Sequence, residues 1–338
     1  MLFKDDKEWF KYSGFNKNFP LEAVKLDLEE ALETYVLPYL SDAQYDILEA
    51  AYETAYTANQ NLSTLSPANT NLLHQVRRCL GAFASWLYAP QGAGQMTSAG
   101  FMESSGVSDN QRSASKWRTE AFQLKLERRA WNSIDLMLKF LEENKSTYGA
   151  WASSSSFTIS KSCFINTTAD FNSFKNINNS VLIFYKMKAV MKQQETQRVL
   201  PVLHKTLFNS IKSSIVTDNV SNANKTILNN YIKPAIAYLT YGEALRENIV
   251  QLGSEGITVP TVQHRSESVN EGRDGATMQQ LTMAIDNALS KGNAYLIELK
   301  KYLDTHLSDY SDYTNDADYV VDEVVRYVNK PENKSFLM

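Results

Sequence analysis

The sequence predicts a mainly α protein made of two tandem homologous helical-bundle domains, each with an inserted β-hairpin. Three observations carry this expectation. Apolar residues recur at helical spacing through most of the chain. Obligatory turn formers are scarce, with 13 Gly and 8 Pro in 338 residues. Short segments also recur in the same order at nearly constant spacing, the mark of an internal duplication.

The repeats are legible by eye. Val36-Leu37-Pro38-Tyr39-Leu40 returns as Val199-Leu200-Pro201-Val202-Leu203. Gln95-Met96-Thr97-Ser98-Ala99-Gly100-Phe101 returns as Gln251-Leu252-Gly253-Ser254-Glu255-Gly256-Ile257. Lys139-Phe140-Leu141-Glu142 returns as Lys301-Tyr302-Leu303-Asp304, and Tyr148 shares its offset with Tyr310.

Each half then reads alike. Leu21, Val24, Leu28, Leu32 and Tyr35 step by three and four, so 20–39 is an amphipathic helix with its counterpart at 180–203. Asp42 to Tyr56 follows from a cap near Ser41, matched by about 204–214. Pro67 suits the first turn of a helix running to Tyr88. The matching stretch, Asn222 to Asn248, contains Pro234, which should kink or split it.

Next comes the Gln-x-x-Ser-x-Gly motif, read as a hairpin with its glycine at a turn position of positive φ. Polar loops follow, Glu103 to Ser115 and Thr261 to Gly275. A long helix closes each half. Leu126, Ala130, Ile134, Leu138 and Leu141 form one core stripe, and Leu281, Ile285, Leu289, Leu296, Leu299 and Leu303 the other. The expected boundaries are 1–150 for the first repeat and 151–179 for a linker with a short strand, Phe157 to Ser160, and a capped short helix, Thr167 to Phe174, a region that opens the second copy as Leu2 to Phe19 opens the first. The second repeat takes 180–307, and 308–338 is a C-terminal tail or docking arm.

Composition excludes several functions. A net charge of -4 gives no footprint for wrapping nucleic acid. No apolar run reaches the length of a membrane span. The charged first ten residues do not form a signal peptide, so a cytoplasmic site of synthesis is expected. Two cysteines, Cys79 and Cys163, make no disulfide framework.

Chemistry is hard to find. His74, His204, His264 and His306 have no neighbours at metal-ligand spacing. Gly92-Ala93-Gly94 lacks the rest of a dinucleotide fingerprint. The carboxylate pairs Glu29–Glu30 and Glu142–Glu143 read as solvated helix faces, since their counterparts Lys192–Gln193 and Asp304–Thr305 keep no pair. Arg77–Arg78 and Arg128–Arg129 read as salt-bridged faces. No catalytic residue, metal or cofactor is expected, and the protein is not read as an enzyme. All five tryptophans (Trp9, Trp86, Trp117, Trp131 and Trp151) lie in the first half, which fits divergent core packing or exposed partner anchors.

Taken together, the Leu-Pro-x-Leu helix end, the aromatic third helix, the Ser-x-Gly-(Phe/Ile) hairpin and the Lys-(Phe/Tyr)-Leu-(Glu/Asp) helix end resemble one family. It is an uncharacterised family from phages and prophages of Bacteroidetes, including crAss-like phages, and looks like a duplicated helical head–tail connector (adaptor) domain. The resemblance covers about 20–310.

It implies a virion neck protein, made in the host cytoplasm, that forms a ring around the DNA channel, commonly of twelve copies. Its partners would be its own copies, the portal protein, and tail or further neck proteins. DNA would pass without specific binding and no membrane would be involved. The expected partner-binding residues are Gln95, Gly100 and Phe101 in one hairpin and Gln251, Gly256 and Ile257 in the other. Phe157 and Ile159 in a linker strand, and Val321, Val324, Val325 and Val328 on one face of the tail, complete the set. Removing 308–338 is expected to spare the fold and abolish assembly. The rival readings are another virion or tail-completion component, a non-viral helical interaction protein, and an enzyme.

Overall fold

The computed structural model describes residues 1–13, 15, 19–59, 62–90, 94–97, 100–103, 116–154, 157, 162–248, 250–253, 256–258 and 278–316. It is mainly helical and contains the same unit twice. In the first unit a short helix α1 (Asp6–Phe10) is capped by Asp5, whose carboxylate accepts from the Glu8 N–H. A helical rod follows, made of a 3-10 turn Leu21–Val24, α2 (Lys25–Glu30), a π-helical stretch Ala31–Val36 and α3 (Leu37–Leu40). Then come α4 (Asp42–Asn59), α5 (Pro67–Tyr88), strands β1 (Gly94–Thr97) and β2 (Gly100–Glu103), α6 (Lys116–Glu143) and α7 (Gly149–Ala152).

The second unit repeats this plan. It has α8 (Thr168–Phe174), α9 (Val181–Gln194), a π-helical stretch Glu195–Val199 and α10 (Leu200–Val216). It continues with α11 (Asn222–Ile227), a π-helical stretch Leu228–Ile232, α12 (Lys233–Arg246), β3 (Gln251–Gly253), β4 (Gly256–Thr258), α13 (Met278–Thr305) and α14 (Ser311–Thr314). β1 pairs antiparallel with β2, setting Met96 opposite Phe101. β3 pairs antiparallel with β4, setting Leu252 opposite Ile257.

Proline explains the π-helical stretches. Pro38, Pro201 and Pro234 each stand at the second position of a regular helix that directly follows one. Proline offers no N–H and crowds the preceding turn, and the wider i→i+5 winding accommodates both defects without ending the rod. Pro234 thus splits its helix, as its position predicts.

The two rods also end alike. Ser41 (φ 71°, ψ 146°) and His204 (φ 59°, ψ 167°) occupy a left-handed, extended conformation right after the two Leu-Pro-x-Leu segments. Only glycine takes such angles without cost, roughly 1–3 kcal/mol for other residues. The Ser41 hydroxyl is buried with no partner among the described residues. Ser41→Gly is therefore expected to stabilise the protein by about 1 kcal/mol, read as a raised denaturation midpoint. A lowered midpoint would show that the serine is needed at the bend.

The hydrogen bonds duplicate too. Ser66 caps α5 by accepting from the Asn69 N–H at 3.2 Å, and Ser221 caps α11 by accepting from the Asn224 N–H at 3.2 Å. The Tyr148 hydroxyl donates to the Ala68 carbonyl and the Tyr310 hydroxyl to the Ala223 carbonyl, both at 2.9 Å. In each unit a tyrosine after the long helix ties the chain back to the first turn of the central helix.

These pairs correct the expected boundaries. Cys163, Phe164, Ile165, Phe171 and Ile177 are all buried in the second core, so 162–179 opens that unit with its capped short helix, as expected, but is part of its core and not a separate linker. It matches Leu2, Phe3 and Trp9, buried in the first core. Trp151 belongs to the first core. At the other end, Tyr310 and Tyr313 are buried in the second core, and Asp316 accepts from the Thr206 N–H. Residues 308–316 are therefore core and not an arm. A polar, Asp-rich composition hid two aromatic anchors.

Phe157 is buried beside Trp151, with ring centroids 4.6 Å apart. Its ring is core and not a docking residue of an exposed strand. Ile159 and the valines Val321, Val324, Val325 and Val328 lie outside the described residues.

The cores differ in filling. In the first, Tyr35, Phe83, Trp86 and Trp131 pack edge to face or stacked, with Tyr35 and Phe83 centroids 4.5 Å apart. In the second, α12 and α13 approach closely at glycines. A Cβ on Gly292 would stand 2.5 Å from Leu239 Cγ, and one on Gly242 2.9 Å from Leu289 Cδ2. Trp9 and Trp151 are buried, and Trp86 and Trp131 pack partly buried on the core. These four tryptophans are bundle filling, an aromatic solution where the second unit uses small residues.

Candidate functional site

Apart from the strand pairs, the unusual chemistry lies where the two units meet. Asp135, midway along α6, accepts from the Ser180 hydroxyl and from the Leu182 N–H, both at 2.8 Å. A carboxylate of the first unit thus caps the first long helix of the second, where the helix dipole favours negative charge. Val181 and Leu182 bury their side chains in the first core. Lys186 lies over the Trp131 ring at 4.7 Å, and Tyr185 stacks towards Trp151 at 6.5 Å.

Beside this contact is a cleft of about 570 Å³ lined by Pro38 and Tyr39 of the first unit and Tyr185, Lys186, Lys188 and Lys192 of the second. The Lys188 amine sits 3.0 Å from the Tyr185 ring centroid, with the residue 5% exposed. Burial pushes Lys188 down to about 7, against the opposing pull of Cys163 and Glu142. The Tyr185 phenol is raised by burial and has no hydrogen-bond partner among the described residues. Glu142 is half-buried and faces this junction, accepting from the Thr168 N–H at 3.4 Å. It is not a merely solvated carboxylate, as its sequence context implies.

The Lys188 amine makes stability depend on pH. Its ordinary value is 10.5, and the folded chain holds the proton only below about 7. Between these values the unfolded chain binds more protons, so this group's contribution to stability is present at high pH and lost as pH falls through about 7. Lys188→Met is expected to flatten the rise in urea midpoint from pH 7 to pH 9, with its largest gain at the lower end. An unchanged slope would show that Lys188 is charged and well paired.

Two further clusters are structural. Arg77, 5% exposed, donates to Glu8 and to the Leu2 carbonyl, both at 2.7 Å. Glu195, 2% exposed, holds Lys212 and accepts from the Phe164 N–H. The thiols of Cys79 and Cys163 are both pushed up to about 12 by burial, which makes them poor nucleophiles. His74 shares a hydrogen bond with the Tyr12 hydroxyl, and His306 stacks on Tyr302. Among the described residues no three His, Cys, Asp or Glu side chains form a metal-holding group, and no helix is long and apolar enough to cross a membrane.

Six of the residues expected to bind partners fall in the strand pairs. Gln95 stands opposite Met102, Thr97 opposite Gly100, Gln251 opposite Thr258 and Gly253 opposite Gly256. Gln95, Gly100 and Phe101 are thus brought together in one pair, and Gln251, Gly256 and Ile257 in the other. The junction residues Asp135, Leu182, Tyr185 and Lys188 escaped sequence reasoning. The available signals were a lone aspartate beside the α6 apolar stripe and lysines on an otherwise apolar helix.

The sequence model of one family, described as a family of unknown function (DUF6712), matches twice, over residues 36–161 and 199–323. The chain belongs to this family. It carries two DUF6712 units in tandem, in the register set by the paired bends and paired tyrosines. The DUF6712 matches begin inside the helical rods, whereas each structural unit starts earlier, at its short capped helix. No curated protein and no solved structure matches the chain.

Proposed function

We propose that this DUF6712 protein is a structural subunit of a phage neck, a connector ring that joins portal to tail around the DNA channel. One observation carries the reading. The two equivalent units meet through unlike faces, the outer side of α6 on one and the start of α9 on the other. Contacts between unlike faces are what build rings, because each unit offers a socket and a plug. Rigid bundles suit the wall of such a ring.

The paired strands leave each bundle at the same place and, as β-hairpins, serve as arms towards the portal, the tail or the adjacent subunit. A slightly acidic chain lets DNA slide through without sticking. The place of action on this reading is the virion, with synthesis in the host cytoplasm. No catalytic group and no cofactor enters it.

The test is the mass of the purified chain by light scattering, with electron-microscope images, alone and mixed with a portal protein from the same genome. A closed ring with a central hole is expected. A chain that stays monomeric in both conditions overturns the reading.

A further inference from the structure

We infer that two copies of this chain pair along α13, with the two helices parallel and in register. The inference goes beyond the ring reading and does not rest on it, because a two-fold contact closes on itself.

The periodicity of α13 sets the face. Its core side carries Ala288, Gly292, Leu296, Leu299 and Leu303, all buried. Directly opposite runs a row of exposed residues, Met283, Asn287, Ser290, Ala294 and Ile297. Their steps of four, three, four and three are those of a heptad seam, with Met283, Ser290 and Ile297 at d and Asn287 and Ala294 at a. No charged residue interrupts the row. Met283 is 64% exposed and Ile297 58%, two large apolar side chains left in water on one face.

The first unit shows that the fold does not require such a face. α6 and α13 are both 28 residues long and align end to end. At the same five positions α6 has Ala121, Lys125, Arg128, Asn132 and Asp135, three of them charged. The second unit therefore presents an uncharged seam where its twin presents ions.

Charge and polarity name the occupant as a second α13. The seam is flanked by exposed Asp286 at g on one side and exposed Lys291 at e on the other. In a parallel pair a g residue meets the e residue five positions further along the partner helix, so Asp286 of each copy faces Lys291 of the other. The same arrangement sets Asn287 against Asn287 in an a layer, where the two amides satisfy each other. A single asparagine at an a position is a device that fixes register and the number of strands. An antiparallel pair would set a against d, and the amide would lose its equal partner.

The experiment uses full-length single variants, Met283→Cys and Ile297→Cys, oxidised with glutathione disulfide. The native Cys79 and Cys163 are buried and stay out of the reaction. Each variant alone is expected to form a disulfide-linked dimer, because a parallel pair brings each d residue to its own copy. Arg128→Cys, at an exposed position of α6, is expected to form none. In the Ile297→Cys chain, Asp286→Lys is expected to lower the dimer yield roughly fivefold, and adding Lys291→Asp to restore it. The melting temperature should not change, since both side chains are exposed. Dimers that form only when the Met283→Cys and Ile297→Cys chains are mixed show an antiparallel pair and overturn the inference. So does a yield no higher than that of Arg128→Cys, or a charge swap that fails to restore the loss. None of these outcomes touches the ring reading, which is judged by mass and images.

Discussion

A chain ended at Leu307 should lose its second unit, whereas one ended at Asp316 should keep it. The nine residues between include Tyr310 and Tyr313, 3% and 1% exposed. The Tyr310 hydroxyl ties α14 to the Ala223 carbonyl at the start of α11, and Tyr313 donates to Asp304. Asp316 satisfies the Thr206 N–H just beyond the His204 bend, where an interrupted helix leaves donors unpaired. Deleting one buried aromatic side chain costs about 3–5 kcal/mol. Two of them approach the whole stability of a domain, about 5–15 kcal/mol. Circular dichroism during heating should show the shorter chain losing roughly half its helix early, with the first unit melting later. Identical melts for the two truncated chains would show that Tyr310 and Tyr313 contribute nothing. The contrast replaces the sequence-based expectation that all of 308–338 is dispensable for folding.

Arg77→Ala should destabilise the first unit by about 3–5 kcal/mol, the usual cost of breaking a buried ion pair from one side. The guanidinium meets Glu8 and the Leu2 carbonyl, and lies 4.8 Å from the Tyr52 ring centroid and 5.2 Å from that of Phe3. Tyr52 donates to the second Glu8 oxygen at 2.7 Å. Removing the cation leaves the Glu8 carboxylate, only 12% exposed, without its charge partner. The second unit offers an internal control. Lys233 and Asp170 make the matching link between central helix and short capped helix at 2.7 Å, but their side chains are 16% and 27% exposed. Lys233→Ala should therefore cost clearly less. Chemical denaturation of both variants, with Glu8→Gln closing a double-mutant cycle, measures the difference. Equal losses would mean that burial does not set the worth of these pairs.

Much of the fold was readable in advance. The Leu-Pro-x-Leu repeats located the two rods, because proline and the apolar spacing around it act locally. The long helices were legible from their stripes, whose buried members Ile134, Leu138, Leu141, Leu299 and Leu303 are core residues. The Tyr148–Tyr310 offset marked the duplication, and only the structure shows that both tyrosines make the same bond. The capped short helix at Thr167 to Phe174 was legible too. The tail reading fared worse. Residues 308–316 are polar by count, yet they supply two large side chains that complete a core. A few buried aromatics outweigh many exposed serines and aspartates, and counting residues does not weight them by burial.

The sequence by itself determined that this chain is a helical unit written twice, since periodicity, caps and proline positions are local properties that survive in any tertiary setting. Only the tertiary structure decided where each unit begins and ends, and that the units join through unlike faces. Those facts depend on which side chains lose water together, Asp135 with Ser180, Tyr313 with the second core, Phe157 with Trp151. Burial is a property of the assembled surface, and no stretch of sequence contains both of its sides.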